Sequence, residues 1–270
     1  MEKLFVIKIG GHVIDNPEAL SSFLKDFASI SVKKLLIHGG GKIATKIGNE
    51  LGIASKYING RRITDDATID LVTMVYGGLV NKKMVAQLQA LQCNALGLTG
   101  ADANILPATK RPVQLPNGPG TEKVDFGWVG DINNTQVPEQ NLKLLMDAGF
   151  VPVIAPLTHD QQGHILNTNA DTIASSVAIA LSKFYRVRLV YCFEKKGVLE
   201  DVADENSVIN RIDKEKYAYL LEAQKLFEGI IPKIDNAFSA ISAGVQEVVI
   251  GDARDIVKNT TDITSGTLIV

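Results

Sequence analysis

Leu4-Phe5-Val6-Ile7-Lys8-Ile9-Gly10-Gly11 is an apolar run that ends in a lysine and a pair of glycines. Its first four residues are continuously apolar, as in a strand buried on both faces of a parallel sheet. Leu35-Leu36-Ile37-His38-Gly39-Gly40-Gly41-Lys42 follows the same plan: a short apolar strand, then glycines and a lysine. Between the two, Leu20, Phe23, Leu24, Phe27 and Ile30 recur at helical spacing behind Asn16-Pro17-Glu18, a helix start. Strand, helix, strand is the unit of a parallel sheet.

The alternation continues outward. A helix is expected from Ile43 to Leu51, closed by Gly52, and one long helical stretch over 66–92, softened by Gly77-Gly78. Strands are expected at 95–98, 151–155, 188–193 and 246–250, and helices at 139–148, 171–182 and 233–243. Residues 101–130 break the pattern with Pro107, Pro112, Pro116 and Pro119, the run to Gly120, and Phe126-Gly127-Trp128-Val129; hairpins and an exposed loop are expected there. The predicted fold class is α/β: an open, mostly parallel sheet sandwiched by helices in three αβα layers. The whole chain, 1–270, is read as one domain with an N-terminal lobe, 1–182, and a C-terminal lobe, 183–270, joined near Lys183 to Arg186.

Composition narrows the function. Hydrophobic residues make up 46% and charged residues 21%, as in an ordinary soluble protein. A net charge of −2 offers no global basic field for nucleic acid or an anionic membrane, so local Lys and Arg groups must carry any anion binding. No apolar run approaches the roughly 20 residues that span a bilayer. Met1-Glu2-Lys3 leads straight into the first strand with no signal-peptide pattern, which predicts a cytoplasmic protein. Cys93 and Cys192 are far apart without CxxC spacing and read as reduced thiols. His12, His38, His159 and His164 show no metal-ligand spacing, so no metal site is expected.

Strand ends beside glycines are where this architecture binds ligands. The two glycine turns allow backbone N–H groups to approach an oxyanion, and the helices behind them add partial positive charge. Lys8 stands where a bland strand would carry Val or Ile; the alternative is a lysine snorkelling to the sheet edge. There is no GxxxxGK[ST], which excludes a Walker-A loop. Gly39-Gly40-Gly41-Lys42-Ile43-Ala44 satisfies G-x-G-x-x-A, but the acidic residue a dinucleotide site needs is replaced by the basic Arg61-Arg62. Arg61-Arg62-Ile63-Thr64 is a candidate carboxylate clamp, because a guanidinium matches a carboxylate bidentately; a solvated surface pair is the alternative. Asn167-Thr168-Asn169-Ala170-Asp171 opens a helix, with Asn169 as an ordinary cap. Gly229-Ile230-Ile231-Pro232-Lys233 sets a lysine against the helix dipole, which suggests an anion nearby.

Taken together these segments resemble the amino-acid kinase family. The match is collinear through Lys8-Ile9-Gly10-Gly11, His38-Gly39-Gly40-Gly41, Asn59-Gly60-Arg61-Arg62-Ile63-Thr64, Asn167-Thr168-Asn169-Ala170-Asp171, Gly197-Val198-Leu199, Gly229-Ile230-Ile231-Pro232-Lys233 and Gly266-Thr267. The N-G-x-R-[IV]-T and N-x-N-A-D segments resemble the branch acting on N-acylated glutamate. The resemblance implies a carbamate-kinase-like fold and ATP-dependent phosphorylation of the γ-carboxylate of an N-acyl-L-glutamate, with N-acetyl-L-glutamate first and N-succinyl-L-glutamate as the alternative, in arginine biosynthesis. It implies Lys8, Lys233 and Asp171 as catalytic residues. Gly10, Gly11, Gly40, Gly41, Gly197 and Lys233 would contact phosphate or ATP, and Arg62 and Asn167, with Gly40 and Gly41, would bind the substrate. ATP with Mg²⁺ would be the co-substrate, and the C-terminal lobe would hold it. A non-catalytic protein of the same fold would be expected to lose at least one of these charges; a nicotinamide-dependent enzyme is the remaining alternative.

Some segments depart from the family pattern. Phe193-Glu194-Lys195-Lys196 replaces the usual Thr/Ser-Asp-Val, and Glu228 stands where a second glycine is common. Lys110, Arg111 and Arg61 are the basic residues that a succinyl carboxylate would want. The start of the chain lacks the helix of arginine-inhibited relatives, so the resemblance implies an arginine-insensitive homodimer.

Overall fold

The computed structural model describes residues 1–58, 60–113, 123–201, 203–226 and 229–270. Asn59, Pro116, Pro119, Gly120 and Glu228, used above, lie outside the described residues. The described residues build an eight-stranded sheet. Its strands are β1 (Lys3–Ile9), β2 (Lys33–His38), β3 (Ala95–Leu98), β4 (Val151–Ile154), β5 (Arg186–Phe193), β6 (Arg211–Ile212), β7 (Glu247–Asp252) and β8 (Thr267–Ile269). The order across the sheet is β6-β8-β7-β5-β1-β2-β4-β3. Only the β7–β8 pair is antiparallel; every other pairing is parallel. The mostly parallel αβα class read from the sequence is the class observed. The turn at 182–185 leads directly into β5, which pairs with β1, so residues on both sides of it build one sheet.

Helices cover both faces. They are α1 (Pro17–Ser29), α2 (Gly41–Glu50), α3 (Asp66–Val72), α4 (Asn81–Ala90), α5 (Glu139–Asp147), α6 (Ala170–Leu181), α7 (Lys214–Glu222) and α8 (Ile231–Ser242). Strand alternation decides which face each side chain meets. Leu4, Val6, Leu35 and Ile37 join one apolar cluster with α5, α6 and α8. Phe5, Ile7, Ile9 and Leu36 join the other with α1, α3 and α4. Each fully buried Leu or Phe contributes about 2 kcal/mol. By the same period, Lys8 belongs to the α6 and α8 face and His38 to the α4 face.

The stretch 66–92 is helical throughout but not uniformly α. Thr73–Val80, containing Gly77 and Gly78, forms a π-helical segment between α3 and α4. Such bulges are frequent at functional sites. Within 101–130, Thr109–Lys110 pairs antiparallel with Gly130–Asp131. Short pieces the alternation did not reveal include Lys56–Ile58 paired with Arg61–Ile63, Leu157–His159 paired with Ile165–Asn167, the edge strand β6 and its neighbour β8. Cys93 and Cys192 are buried and free, and burial pushes the Cys192 thiol up to about 12. Among the described residues no helix is long and apolar enough to cross a membrane.

Gly127 pins the 101–130 region to the body. Its φ is +69°, and a Cβ there would lie 2.1 Å from the Thr64 carbonyl oxygen. Thr64 and its neighbours exchange two backbone hydrogen bonds across this point, Thr64 N–H to Phe126 O at 2.9 Å and Trp128 N–H to Thr64 O at 2.7 Å. Gly127→Ala is therefore expected to cost about 2 kcal/mol or more. Urea unfolding followed by Trp128, the only tryptophan of the chain, checks this; an unchanged midpoint would contradict it.

Candidate active site

Three charged groups meet at the C-terminal edge of the sheet. Lys8 projects from the end of β1 toward α6, whose first turn carries Asp171. The Asn169 side chain caps that helix, accepting from Asp171 N–H at 2.8 Å and Thr172 N–H at 3.1 Å. Asp171 is thereby fixed in the first turn, facing β1. Tyr191, beside Lys8 in the β1–β5 register, donates from its hydroxyl to the Asp171 carbonyl at 3.3 Å. Lys233 enters from the first turn of α8, where Pro232 presets the helical backbone.

Lys8 Nζ lies 2.8 Å from Asp171 Oδ1, and Lys233 Nζ lies 3.1 Å from Oδ2. The first contact is ionic without the direction of a hydrogen bond; the second is a hydrogen bond. Burial alone would raise the Asp171 pKa. The two ammonium groups outweigh it, and the carboxyl is held below the usual carboxylate range. The Lys8 side chain is 14% exposed, so it does not snorkel to the sheet edge. Lys233 also lies 5.7 Å from the centre of the Phe193 ring.

The glycine turns adjoin this triad. Gly39 N–H donates to Ile9 O at 3.1 Å, which ties the turn after β2 to the end of β1. A Cβ on Gly10 would lie 3.6 Å from Lys8 Nζ, and one on Gly11 would lie 3.3 Å from Asp15 Oδ2. Gly40 has φ +154°, and a Cβ there would meet the Tyr76 ring at 2.9 Å. Tyr76 comes from the π-helical segment, which accounts for that bulge at the site.

A cleft of about 510 Å³ opens beside these groups. Gly40, Gly41, Arg62, Asn167, Asp171 and Lys233 all line it. Arg61 and Arg111 line it as well. Arg62 is 7% exposed. Its guanidinium donates to Gly41 O and Thr45 Oγ1, both at 2.9 Å, and to Ser55 Oγ, and stacks 4.9 Å from the Tyr57 ring. It is a buried, oriented arginine rather than a solvated one. Asn167 Nδ2 donates to Thr64 Oγ1 at 3.1 Å.

Other residues stand elsewhere. Gly197 does not line the cleft. A Cβ there would lie 2.7 Å from Thr267 Oγ1, so close packing already explains that glycine. Lys110, in the Thr109–Lys110 strand, lies over the Trp128 ring at 3.8 Å and does not line the cleft. Arg111 is forked onto Asp131, with Nε at 3.1 Å from both carboxylate oxygens. Sequence reasoning missed Tyr191, Tyr76 and the Arg111–Asp131 pair. For Tyr191 a signal existed: its hydroxyl interrupts an apolar strand beside Lys8.

A lysine, a glycine turn and arginines lining one cleft, with Lys8 held on Asp171 at its wall though not itself lining it, define an α/β protein built to handle anions. The chain belongs to the amino acid kinase family, whose model matches residues 3–252. It is 54% identical over 258 residues to the acetylglutamate kinase of Cytophaga hutchinsonii, covering 96% of this chain and 94% of that one. Among solved structures it is similar to smu.665 from Streptococcus mutans, with TM-score 0.74 and 27% identity over 99% of this chain and 98% of that one. N-acetylglutamate synthase from Neisseria gonorrhoeae has TM-score 0.79 and 21% identity over 100% of this chain. The chain spans only 59% of that synthase, and this likeness concerns the fold alone.

The depressed Asp171 pKa sets the pH dependence of the triad. A carboxyl with a lowered folded pKa adds stability above its unfolded value of about 3.9, lost as pH falls through the folded one. Asp171→Asn removes this contribution and leaves two ammonium groups facing each other. The stability difference between the parent protein and Asp171→Asn is expected to be constant from pH 6 to 8 and to shrink below about pH 4. Urea midpoints across that range measure it; a difference that grew toward acid would contradict the assignment.

Proposed function

We propose that the protein is an ATP-dependent kinase that phosphorylates the γ-carboxylate of N-acetyl-L-glutamate, a step of arginine biosynthesis. The observation that carries this reading is the convergence of Lys8 and Lys233 on one carboxylate at the wall of the glycine-lined cleft. The 54% identity to an acetylglutamate kinase supports the substrate. All three charges are present, whereas a non-catalytic protein of this fold need keep none of them.

One γ-carboxylate oxygen of the substrate attacks the γ-phosphorus of ATP as the bond to the β–γ bridging oxygen breaks. ADP leaves and an acyl phosphate forms. The attacking carboxylate is already ionised at neutral pH, so no proton moves and no general base is needed. The remaining demand is alignment and stabilisation of charge on the transferred group. Lys8 and Lys233 supply that charge, and amides of Gly10, Gly11, Gly40 and Gly41 supply hydrogen bonds. Asp171 holds the two lysines apart at a fixed spacing. Mg²⁺, arriving with the nucleotide as part of the co-substrate, would neutralise further phosphate charge.

Arg62, with Asn167, binds the α-carboxylate end of the substrate. The N-terminal lobe, 1–182, holds N-acetylglutamate, and the C-terminal lobe, 183–270, holds the nucleotide. Gly197 follows the C-terminal end of β5, on the sheet edge shared with Gly10, which is the support for placing it near ATP. A succinyl group would bring a further carboxylate. Arg111 lines the cleft but is paired with Asp131, while Arg61 lines it as well, so the 54% identity to an acetylglutamate kinase is what favours the acetyl reading. We also propose a cytoplasmic homodimer.

Coupled ADP release with N-acetylglutamate, N-succinylglutamate and glutamate tests the reading. Turnover is expected with N-acetylglutamate above the other two, and Lys233→Ala is expected to lower kcat a hundredfold or more, on the order of oxyanion-donor losses. No ADP release with any acylglutamate would overturn the assignment; faster turnover of N-succinylglutamate would overturn the acyl group alone.

A further inference from the structure

His38 stands immediately before the glycine turn, yet it is fully buried and does not line the cleft. Strand alternation sends its ring away from Lys8, toward α4. Its Nδ1 lies 2.7 Å from Gly39 O, and its Nε2 lies 3.1 Å from Asn81 Nδ2. The same Asn81 Nδ2 lies 2.9 Å from Val153 O. A carbonyl oxygen only accepts, so the Asn81 atom facing both partners is the amide nitrogen. Nε2 of His38 is then an acceptor, and Nδ1 carries the proton and donates to Gly39 O. Burial holds the ring neutral, with its pKa lowered to about 4.

That hydrogen bond has a consequence on the far side of the peptide. The chain has no cis peptide bonds among the described residues, so the Gly39 carbonyl and the Gly40 N–H point in opposite directions. An imidazole that draws the carbonyl inward turns the Gly40 N–H outward, to the side on which Gly40 lines the cleft. The next peptide is fixed as well: Gly40 O accepts from Ala44 N–H at 3.0 Å, which directs the Gly41 N–H the opposite way. The network is kept although it leaves Asn81 Oδ1 buried and without a partner, which is costly in a protein interior. Its fit is tight: a Cβ on Gly97 would lie 2.0 Å from Asn81 Oδ1.

We infer that His38 is a positioning residue, a neutral donor from Nδ1 that orients the Gly39–Gly40 peptide so that its N–H meets the transferred phosphoryl group. Asn81 fixes the tautomer by occupying Nε2. His38 touches neither substrate nor nucleotide and moves no proton. The inference rests on the phosphoryl-transfer reading, but its test is separable.

The ¹⁵N chemical shifts of the His38 ring in the wild-type protein at pH 7 read the tautomer directly. A protonated Nδ1 and a bare Nε2 are expected; a protonated Nε2 would overturn the inference whether or not any variant folds. Two substitutions then test the consequence. His38→Leu removes the donor, and His38→Asn keeps an amide nitrogen near the position of Nδ1. His38→Leu is expected to lower kcat ten- to hundredfold with the KM for N-acetylglutamate within threefold of wild type, and His38→Asn is expected to recover at least fivefold of that loss. A purely structural role predicts a lowered melting temperature with kcat per folded molecule unchanged, or equal losses in both variants, and either result would overturn the inference. Failure of the wild type to release ADP would instead strike the functional reading and leave the tautomer measurement standing.

Discussion

One carboxylate held between two ammonium groups is the constraint on which the rest of the site depends. Asp171 meets Lys8 and Lys233 at 2.8 and 3.1 Å. Two positive charges against one negative leave the cluster with a net positive charge at the wall of a cleft. Removing such charges from water is costly unless each is paired. Asp171 compensates both lysines when the cleft is empty, and the remaining positive charge favours an incoming anion. Without Asp171 the lysines would repel, and their spacing would not be set.

The sheet and two helix starts deliver this cluster. Lys8 reaches α6 because Leu4 and Val6 face the same cluster and the strand period is two. Asp171 faces Lys8 because Asn169 caps α6 two residues earlier. Lys233 arrives on α8, a helix that enters from the other end of the chain. A lysine in the first turn opposes the helix dipole. The cost is accepted where a carboxylate stands opposite. The glycine turns complete the site from the side, tied to each other through the Gly39 to Ile9 hydrogen bond.

Much of this was legible in the sequence, for a physical reason. A lysine at the end of an apolar run is an unusual core residue, and glycines after a strand free the backbone to approach a ligand, so Lys8, Gly40 and Gly41 announce themselves. Arg62, Asn167, Asp171 and Lys233 stood out by charge and position and received their roles through the resemblance, and all four line the cleft. What stayed hidden depends on contacts between distant segments. The Arg111–Asp131 pair joins two short strands that no periodicity reveals. The π-helical segment that brings Tyr76 over Gly40 reads as plain helix. Gly197 shows the opposite limit: a glycine can be required by packing, here against Thr267, and a motif alone does not separate that from ligand contact.

The most direct measurement is a crystal structure with ADP, Mg²⁺, aluminium fluoride and N-acetylglutamate, in which the fluoride complex stands in for the migrating phosphoryl group. The account predicts that the Nζ atoms of Lys8 and Lys233 both lie about 3 Å from fluoride ligands of one aluminium, within hydrogen-bonding distance. A complex bound through only one of the two lysines, or seated in another part of the molecule, would contradict it.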